Sequence, residues 1–387
     1  MSASFYELLK FAKTGIASPE MTHYDKLKAL AMCKAGFPVK TLTDVPPITF
    51  QSDGTPLTAW SISGNMTQTG TPTPSAPITP QECGDKTENQ YDKSTTVIYN
   101  AYLNESNIWI ASDDSRSIII PVNGGTQYTL SVPEALSVFL ICEASQEPVI
   151  GGTYSRIVRA SSAIDSYTFT TQSDTKYIIF QGGKASFDIW FNGLMLNTGS
   201  TALPFEPFGY KLPLTLAGQT QTVYLSEPLR KIGDYADKIE AIGTTATVTR
   251  KIRKCVVTSD KIGSFNSGLH RIGIGVLASV SPDAAICSHY KVQVKSDGSF
   301  AHMYIGSNNQ YIFIFDPSFE TQTDAVNFLD AQNAAGTPVC VWYVLATAQT
   351  ETVTVPTLTP QKGSNTLTVG TTLQPSEVSI TGKIKSS

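Results

Sequence analysis

From about residue 88 to residue 210 the chain is a succession of short apolar segments, NIWIAS, RSIIIPV, TQYTLSV, SVFLIC, YTFTT, KYIIFQ and FDIWFNGLML. Turn formers break it every roughly 8–12 residues, among them the glycine pairs at Asn123–Gly125, Ile150–Gly152 and Gln181–Gly183. That rhythm predicts strands, and strands this short bury their apolar sides by stacking two sheets face to face. Tyr167 with Phe169, and Tyr177 with Ile179, alternate at period two and are expected in the space between the sheets.

The chain has 387 residues, enough for two or three domains, and only 16% are charged. About a quarter is usual, so the polar surface is built from Thr, Ser, Asn, Gln and Gly. That suits all-β proteins and extracellular or virion surfaces. A net charge of -4 gives no reason to expect nucleic acid or an anionic membrane as partner. The six cysteines, at 33, 83, 142, 255, 287 and 340, form no C-x-x-C pair and read as reduced, buried small apolar residues. The longest apolar runs, such as VCVWYVLA, fall far short of the roughly 20 residues of a bilayer span. MSASFYELLKFAKTG lacks the basic start, long apolar core and cleavage site of a signal peptide.

The expected fold is mainly β, with tandem jelly-roll-like β-sandwich modules. A small helical region opens the chain and one helix interrupts the second β-block. Residues 1–45 read as a helical docking region, or equally as a cap over the next domain: Ser4 caps a face of Phe5, Leu8, Leu9 and Ala12, and Thr22–Asp25 opens a second helix that stops at Gly36. Residues 46–87 read as strands and a Thr/Pro-rich tract, TPTPSAPITP, whose X-Pro steps favour extended geometry, as a spacer or an edge-of-domain crossover. The sandwich at 88–210 leaves through STALPFEPFGY, where two prolines bracket aromatic residues. A connector at 211–245, a second β-rich module at 246–350 and a terminal hairpin at 351–387 complete the division. The module's helix is expected to be capped by Thr323 and ended by Gly336 and Pro338. Two modules in series, or two modules inserted into one scaffold, both fit.

No H-E-x-x-H, G-x-S-x-G, P-loop or dinucleotide fingerprint is present, and the chain is not expected to be an enzyme. GIG at Gly273–Gly275 falls within a strand pattern. His289 and His302 can approach across strands, but no carboxylate cluster accompanies them for a metal. Asp113-Asp114 reads either as a solvated turn or as a structural calcium site; no other cofactor is expected. The aromatic content suggests sugar binding, because aromatic faces stack on pyranose rings while Asn, Asp and Arg hold hydroxyls. The candidate patch is Tyr99, Tyr102, Asn104, Asn107, Trp109, Asp113 and Arg116. Trp109 also reads as a core tryptophan on a strand.

LTAWSISGN, then TGTPTPSAPI, then GDKTENQYD resembles the tether of tail-tip and baseplate-type structural proteins of phages and prophages of Gram-positive gut bacteria. FNGLMLNTGSTALPFEPFGY resembles the last strand and exit of their carbohydrate-binding-like sandwich, and VYLSEPLRKIGDYAD their connector. TPVCVWYVLA and the NTLTVGTTLQPSEVSITGKIK tail resemble their C-terminal part, and FYELLKFAKTGIASPEMTHYDKLKALA is typical of their start. The resemblance implies a virion protein made in the host cytoplasm. It implies a homo-oligomer (a trimer, by analogy) that partners other tail or baseplate subunits and host cell-surface polysaccharide. It transfers no ligand residue. A host-attachment adhesin is the leading reading; a purely architectural subunit and a wall-degrading tail enzyme are the alternatives.

Overall fold

The computed structural model describes residues 40–43, 47–275, 284–293, 300–306 and 311–381. The readings made for residues 1–39, including both opening helices and Cys33, lie outside these. The fold is mainly β. Contacts divide the chain into one unit of residues 1–85 with 211–387 and another of residues 86–210, so the second interrupts the first in sequence. Among the described residues no helix is long and apolar enough to cross a membrane.

The discontinuous unit contains a seven-stranded antiparallel sheet. Its order is Lys40–Thr43, Glu377–Thr381, Ala59–Ser63, Lys238–Ile242, Thr245–Val257, Val339–Thr354 and Ala285–Cys287. A second sheet runs Gln219–Leu225, Tyr210–Leu216, Lys362–Val369, Ile48–Asp53. A third runs Ile262–Asn266, Arg271–Gly275, Tyr311–Phe315, His302–Ile305, Lys291–Val292. Two sequence expectations change here. The 211–245 stretch contributes core strands, and the last two strands join different sheets and so form no hairpin. Each pairs with a segment more than 300 residues earlier, as in Trp60 opposite Ile380 and Thr49 opposite Thr366. The Thr/Pro tract is also no free spacer. Pro72 and Pro80 are buried, Ile78 N donates to Ser288 O (2.7 Å), and Gln68 Nε2 donates to Ile78 O (2.7 Å) and Cys287 O (2.8 Å). Proline removes donors that would otherwise need partners, so an extended segment can lie flat on the unit.

The two longest strands, Thr245–Val257 and Val339–Thr354, pair along their length except at a bulge between Arg250 and Ile252. A bulge leaves backbone groups out of the ladder. The fully buried Asp237 carboxylate meets them, accepting from Lys251 N (2.6 Å), Ile252 N (2.9 Å) and Arg230 N (3.1 Å). Arg250 stands 3.9 Å from that carboxylate and also binds Glu351 (2.7 Å) and Pro228 O (2.8 Å). Arg230 pairs with Glu82 and Glu227, and Glu82 accepts from Trp342 Nε1 (2.8 Å).

Beyond the bulge the strands face a core made by alternation: Ile272 and Ile274, Met303 and Ile305, Ile312 and Ile314. The helix Gln322–Ala334 closes it with Ala325 and Leu329. Its cap is Thr321, two residues before the expected Thr323, because Thr321 and Asp324 form a reciprocal capping box: Asp324 N donates to Thr321 Oγ1 (3.3 Å) and Thr321 N to Asp324 Oδ2 (2.7 Å). His289 is buried, with Nδ1 on Ser288 Oγ (2.8 Å) and Nε2 on Gln332 (3.1 Å).

In the unit of residues 86–210, one sheet runs Ser155–Arg159, Phe139–Ala144, Tyr177–Gly183, Ser115–Pro121, Ile98–Tyr99. Facing it is Ile164–Thr170, Gln127–Leu136, Met195–Thr198. Ile118, Leu130, Ile141, Phe180 and Leu196 fill the space between. The larger sheet is covered on its other face too, by the hairpin Ala101–Leu103/Trp109–Ala111 over Leu140, Cys142 and Ile179. Ile179 therefore lies under the hairpin and not between the sheets as its alternation suggested. Strands buried on both faces read as unbroken apolar runs, which explains VFLIC and IIF. FDIWFNG, expected as strand, is the helix Phe187–Gly193. Phe187, Trp190, Phe191 and Leu194 share a face at helical spacing and pack into the sandwich core.

Asp237→Ala would leave the N–H groups of Lys251, Ile252 and Arg230 without their acceptor and remove the carboxylate 3.9 Å from Arg250. A loss of about 3–5 kcal/mol is expected in urea unfolding of the 1–85/211–387 unit. Burial also pushes the His289 imidazole below its ordinary 6.5, against a smaller upward pull from Gln332. The unfolded chain then takes up a proton that the folded one resists, so this contribution is full above 6.5 and is lost as pH falls through the depressed value. The melting temperature should drop between pH 7 and 5, and His289→Gln should flatten that drop.

Candidate functional site

The expected sugar patch does not form one surface. Trp109 is 0% exposed. Its Nε1 donates to Ser117 Oγ (2.9 Å), and Ser117 passes the bond on to Ala101 O (3.0 Å). Tyr99 meets Trp109 edge-on at 4.7 Å, and Tyr154 does so at 6.5 Å. With no surface of the indole exposed, a sugar ring cannot stack there. Tyr102 points to the other side of the hairpin, opposite Ile110. Asn104 and Asn107 shape the hairpin loop: Asn104 Oδ1 accepts from Ile108 N (2.9 Å), and Asn107 adopts a left-handed φ of 60°. Asp113 is exposed, but its carbonyl is taken by Lys184 Nζ (2.6 Å) and Arg116 (3.2 Å). Two cations at that oxygen make the turn a poor calcium site. Arg116 is held on backbone carbonyls, also at Ser115 O (2.9 Å).

A different site lies on the outer face of the three-stranded sheet of the same unit. There Ser131 stands opposite Ser166 on one side and Met195 on the other, and Thr129 opposite Thr168 and Asn197. These are the side chains that alternate away from Tyr128, Leu130 and Val132 in the core. Small polar residues leave the sheet face low. The exit segment from Gly199 to Phe205 arches over one end of it. Thr129 Oγ1 donates to Gly199 O (2.8 Å), and Asn197 Nδ2 to Thr201 O (3.0 Å), while Leu203 N donates to Asn197 Oδ1 (3.4 Å). Buried Asn89 clamps the far end, donating to Leu194 O (3.0 Å) and Glu206 O (2.9 Å) and accepting from Tyr91 N and Leu196 N (3.0 Å each).

Between the arch and the sheet is an open cleft of about 270 Å³, lined among others by Ser131, Pro133, Asp165, Ser166, Met195 and Phe205. A Cβ on Gly193, also in the lining, would stand 2.1 Å from Pro133 Cγ, so the end of the helix reaches the strand only as glycine. Phe205 is 47% exposed. Asp165 is exposed, with Ser166 Oγ donating to its Oδ1 (3.1 Å). Sites for drug-sized ligands run to about 300–1,000 Å³, so this cleft suits one unit of a longer chain. An aromatic face, a carboxylate and two hydroxyls are the groups that hold the C–H face and hydroxyls of a pyranose. The sequence signal for it was the pair of prolines bracketing aromatics in ALPFEPFGY. Asp165 carried none.

The five described cysteines are free thiols, and burial pushes those of Cys83, Cys142 and Cys287 up to about 12. Among the described residues no group of three or more His, Cys, Asp and Glu is placed to hold a metal ion.

Trp109→Ala should act on stability. A loss of about 3–5 kcal/mol is expected in urea unfolding of the 86–210 unit, with saccharide binding falling only as the folded fraction falls. Unchanged stability with lost binding would return Trp109 to a ligand-facing role. Comparison with known proteins adds no family assignment: no protein-family model matches the chain, and no curated protein matches it.

Proposed function

We propose that the chain is a structural protein of a phage tail or baseplate, displayed on the virion, that attaches to host-surface polysaccharide through the sandwich of residues 86–210. One observation carries this reading. The exit segment ALPFEPFGY, part of the resemblance to phage tail proteins, is the segment that walls the cleft with Phe205. Asp165 is the one carboxylate among the residues lining the cleft. Glycoside hydrolysis by the usual route needs two, which favours holding a sugar over cleaving it. Thr87 N donates to Gly209 O (3.1 Å), so the unit's entry and exit run side by side, as suits a module carried within another domain. A small cleft binds weakly, and several copies on a homo-oligomeric tail supply avidity without new contacts.

Labelled full-length protein should bind intact Gram-positive cells saturably, and free wall polysaccharide should compete. Phe205→Ala and Asp165→Asn should each weaken binding by about tenfold with melting temperature unchanged. Cell binding indifferent to both substitutions would overturn the assignment. Binding only to isolated tail proteins would favour an architectural subunit.

A further inference from the structure

The chain holds two Asn-Gly pairs, Asn123-Gly124 and Asn192-Gly193, and both lie in the unit of residues 86–210. In such a pair the glycine main-chain nitrogen can reach the asparagine side-chain carbon, because glycine has no Cβ to restrict the backbone. The structure gives the two pairs opposite surroundings. Asn192 stands in the last turn of the helix Phe187–Gly193, and both ends of its amide are held. Its Nδ2 donates to Asp188 O (2.7 Å), and its Oδ1 accepts from Lys93 Nζ (3.2 Å). Gly193 is the last helical residue and is pressed against Pro133. A helical main-chain nitrogen is committed to the carbonyl four residues back.

Asn123 is exposed, in the turn between Ser115–Pro121 and Gln127–Leu136. Its main chain is anchored on both sides: N donates to Tyr128 Oη (2.9 Å), and O accepts from Thr171 Oγ1 (2.8 Å). Its side-chain amide has no hydrogen-bond partner among the described residues, and neither has the N–H of Gly124. The next two N–H groups are taken, Gly125 N by Gln172 O (2.9 Å) and Thr126 N by Thr171 Oγ1 (3.1 Å). The one main-chain nitrogen of this turn left free is the one that neighbours a free asparagine amide.

We infer that Asn123 is a site of spontaneous modification: the unit deamidates there while folded, whereas Asn192 is protected until the unit opens. The step needs only base and water. Gly124 N loses its proton to base and attacks Asn123 Cγ. The new C–N bond closes a succinimide ring, and the side-chain nitrogen leaves as ammonia. Water then opens the ring at either carbonyl. Breaking the bond from Gly124 N to Cγ gives aspartate. Breaking the original peptide bond gives isoaspartate, whose main chain runs through Cβ and Cγ. The structure separates the two products. Aspartate keeps the backbone, so the anchors on Tyr128 and Thr171 persist. Isoaspartate inserts an extra carbon ahead of Gly124, and the turn has no slack for it: a Cβ on Gly124 would stand 2.3 Å from Ser173 O and 2.9 Å from Gln172 O. The isoaspartyl turn is pushed off Gln172 and Thr171, and that end of the sandwich loosens.

Peptide mapping by mass spectrometry tests this on the full-length chain aged in mildly alkaline buffer, folded and in urea. In the folded protein, conversion at Asn123 should run about tenfold ahead of conversion at Asn192. In urea, where both pairs are free, the two rates should converge. The aged folded protein should carry isoaspartate at residue 123 and melt about 4 °C lower in the 86–210 unit. Asn123→Gln, whose longer side chain closes its ring far more slowly, should prevent that loss. Asn123→Asp supplies the charge without the longer backbone and should not reproduce it. Asn123 is exposed, so neither replacement disturbs the core. Folded-state conversion at Asn123 no faster than at Asn192 would overturn the inference. An equal fall in melting temperature in aged Asn123→Gln, or the same fall in fresh Asn123→Asp, would overturn the consequence assigned to the isoaspartyl turn.

Discussion

The Asp237 carboxylate at the bulge of the two longest strands is the interaction on which the larger unit depends. Before the bulge, those strands belong with segments from both ends of the described chain; beyond it, they face the isoleucine core. Both halves need a shared register, and a slip of one residue would turn every side chain to the wrong face. Asp237 fixes the slip at one place, because there a buried anion meets both Lys251 N and Ile252 N. Replacing a buried ion network wholesale by apolar residues is often neutral, whereas removing one member is costly. Its contribution is therefore best understood as specifying where the strands lock. Arg250 and Glu351 extend the same network along the two long strands, and Glu82 and Arg230 carry it to two further segments.

Local structure was legible wherever side chains alternate. Ile272 and Ile274, Ile312 and Ile314, and Tyr128, Leu130 and Val132 of the smaller sandwich sheet follow period two. The errors have physical causes. Phe187–Gly193 carries an apolar stripe at helical spacing, but its seven residues are too few to separate the two periods without knowing what they pack against. Pairings such as Ser61 with Ser379, whose hydroxyls meet at 2.7 Å, span more than 300 residues and leave no local trace. That is why the discontinuous unit read as a series of modules and a terminal hairpin.

The site was legible in kind and not in place. Aromatic content suggests a sugar-binding surface, and Trp109 is the largest aromatic beside polar residues. Burial decides otherwise: its N–H is satisfied internally and no surface of the indole is exposed. The exposed aromatic of the cleft sits where backbone constraints present it. Phe205 follows a proline on an arch pinned by Asn89 and Asn197. Side-chain identity alone does not distinguish a tryptophan that packs from a phenylalanine that faces water. The hydrogen bonds that position the backbone do.

Hydrogen exchange of the full-length chain with and without host wall polysaccharide tests the assignment of the cleft most directly. The arrangement predicts slower exchange in three segments, 127–136, 164–170 and 195–206, which carry the sheet face and the arch over it. Demonstrated binding with exchange in these segments unchanged would contradict it.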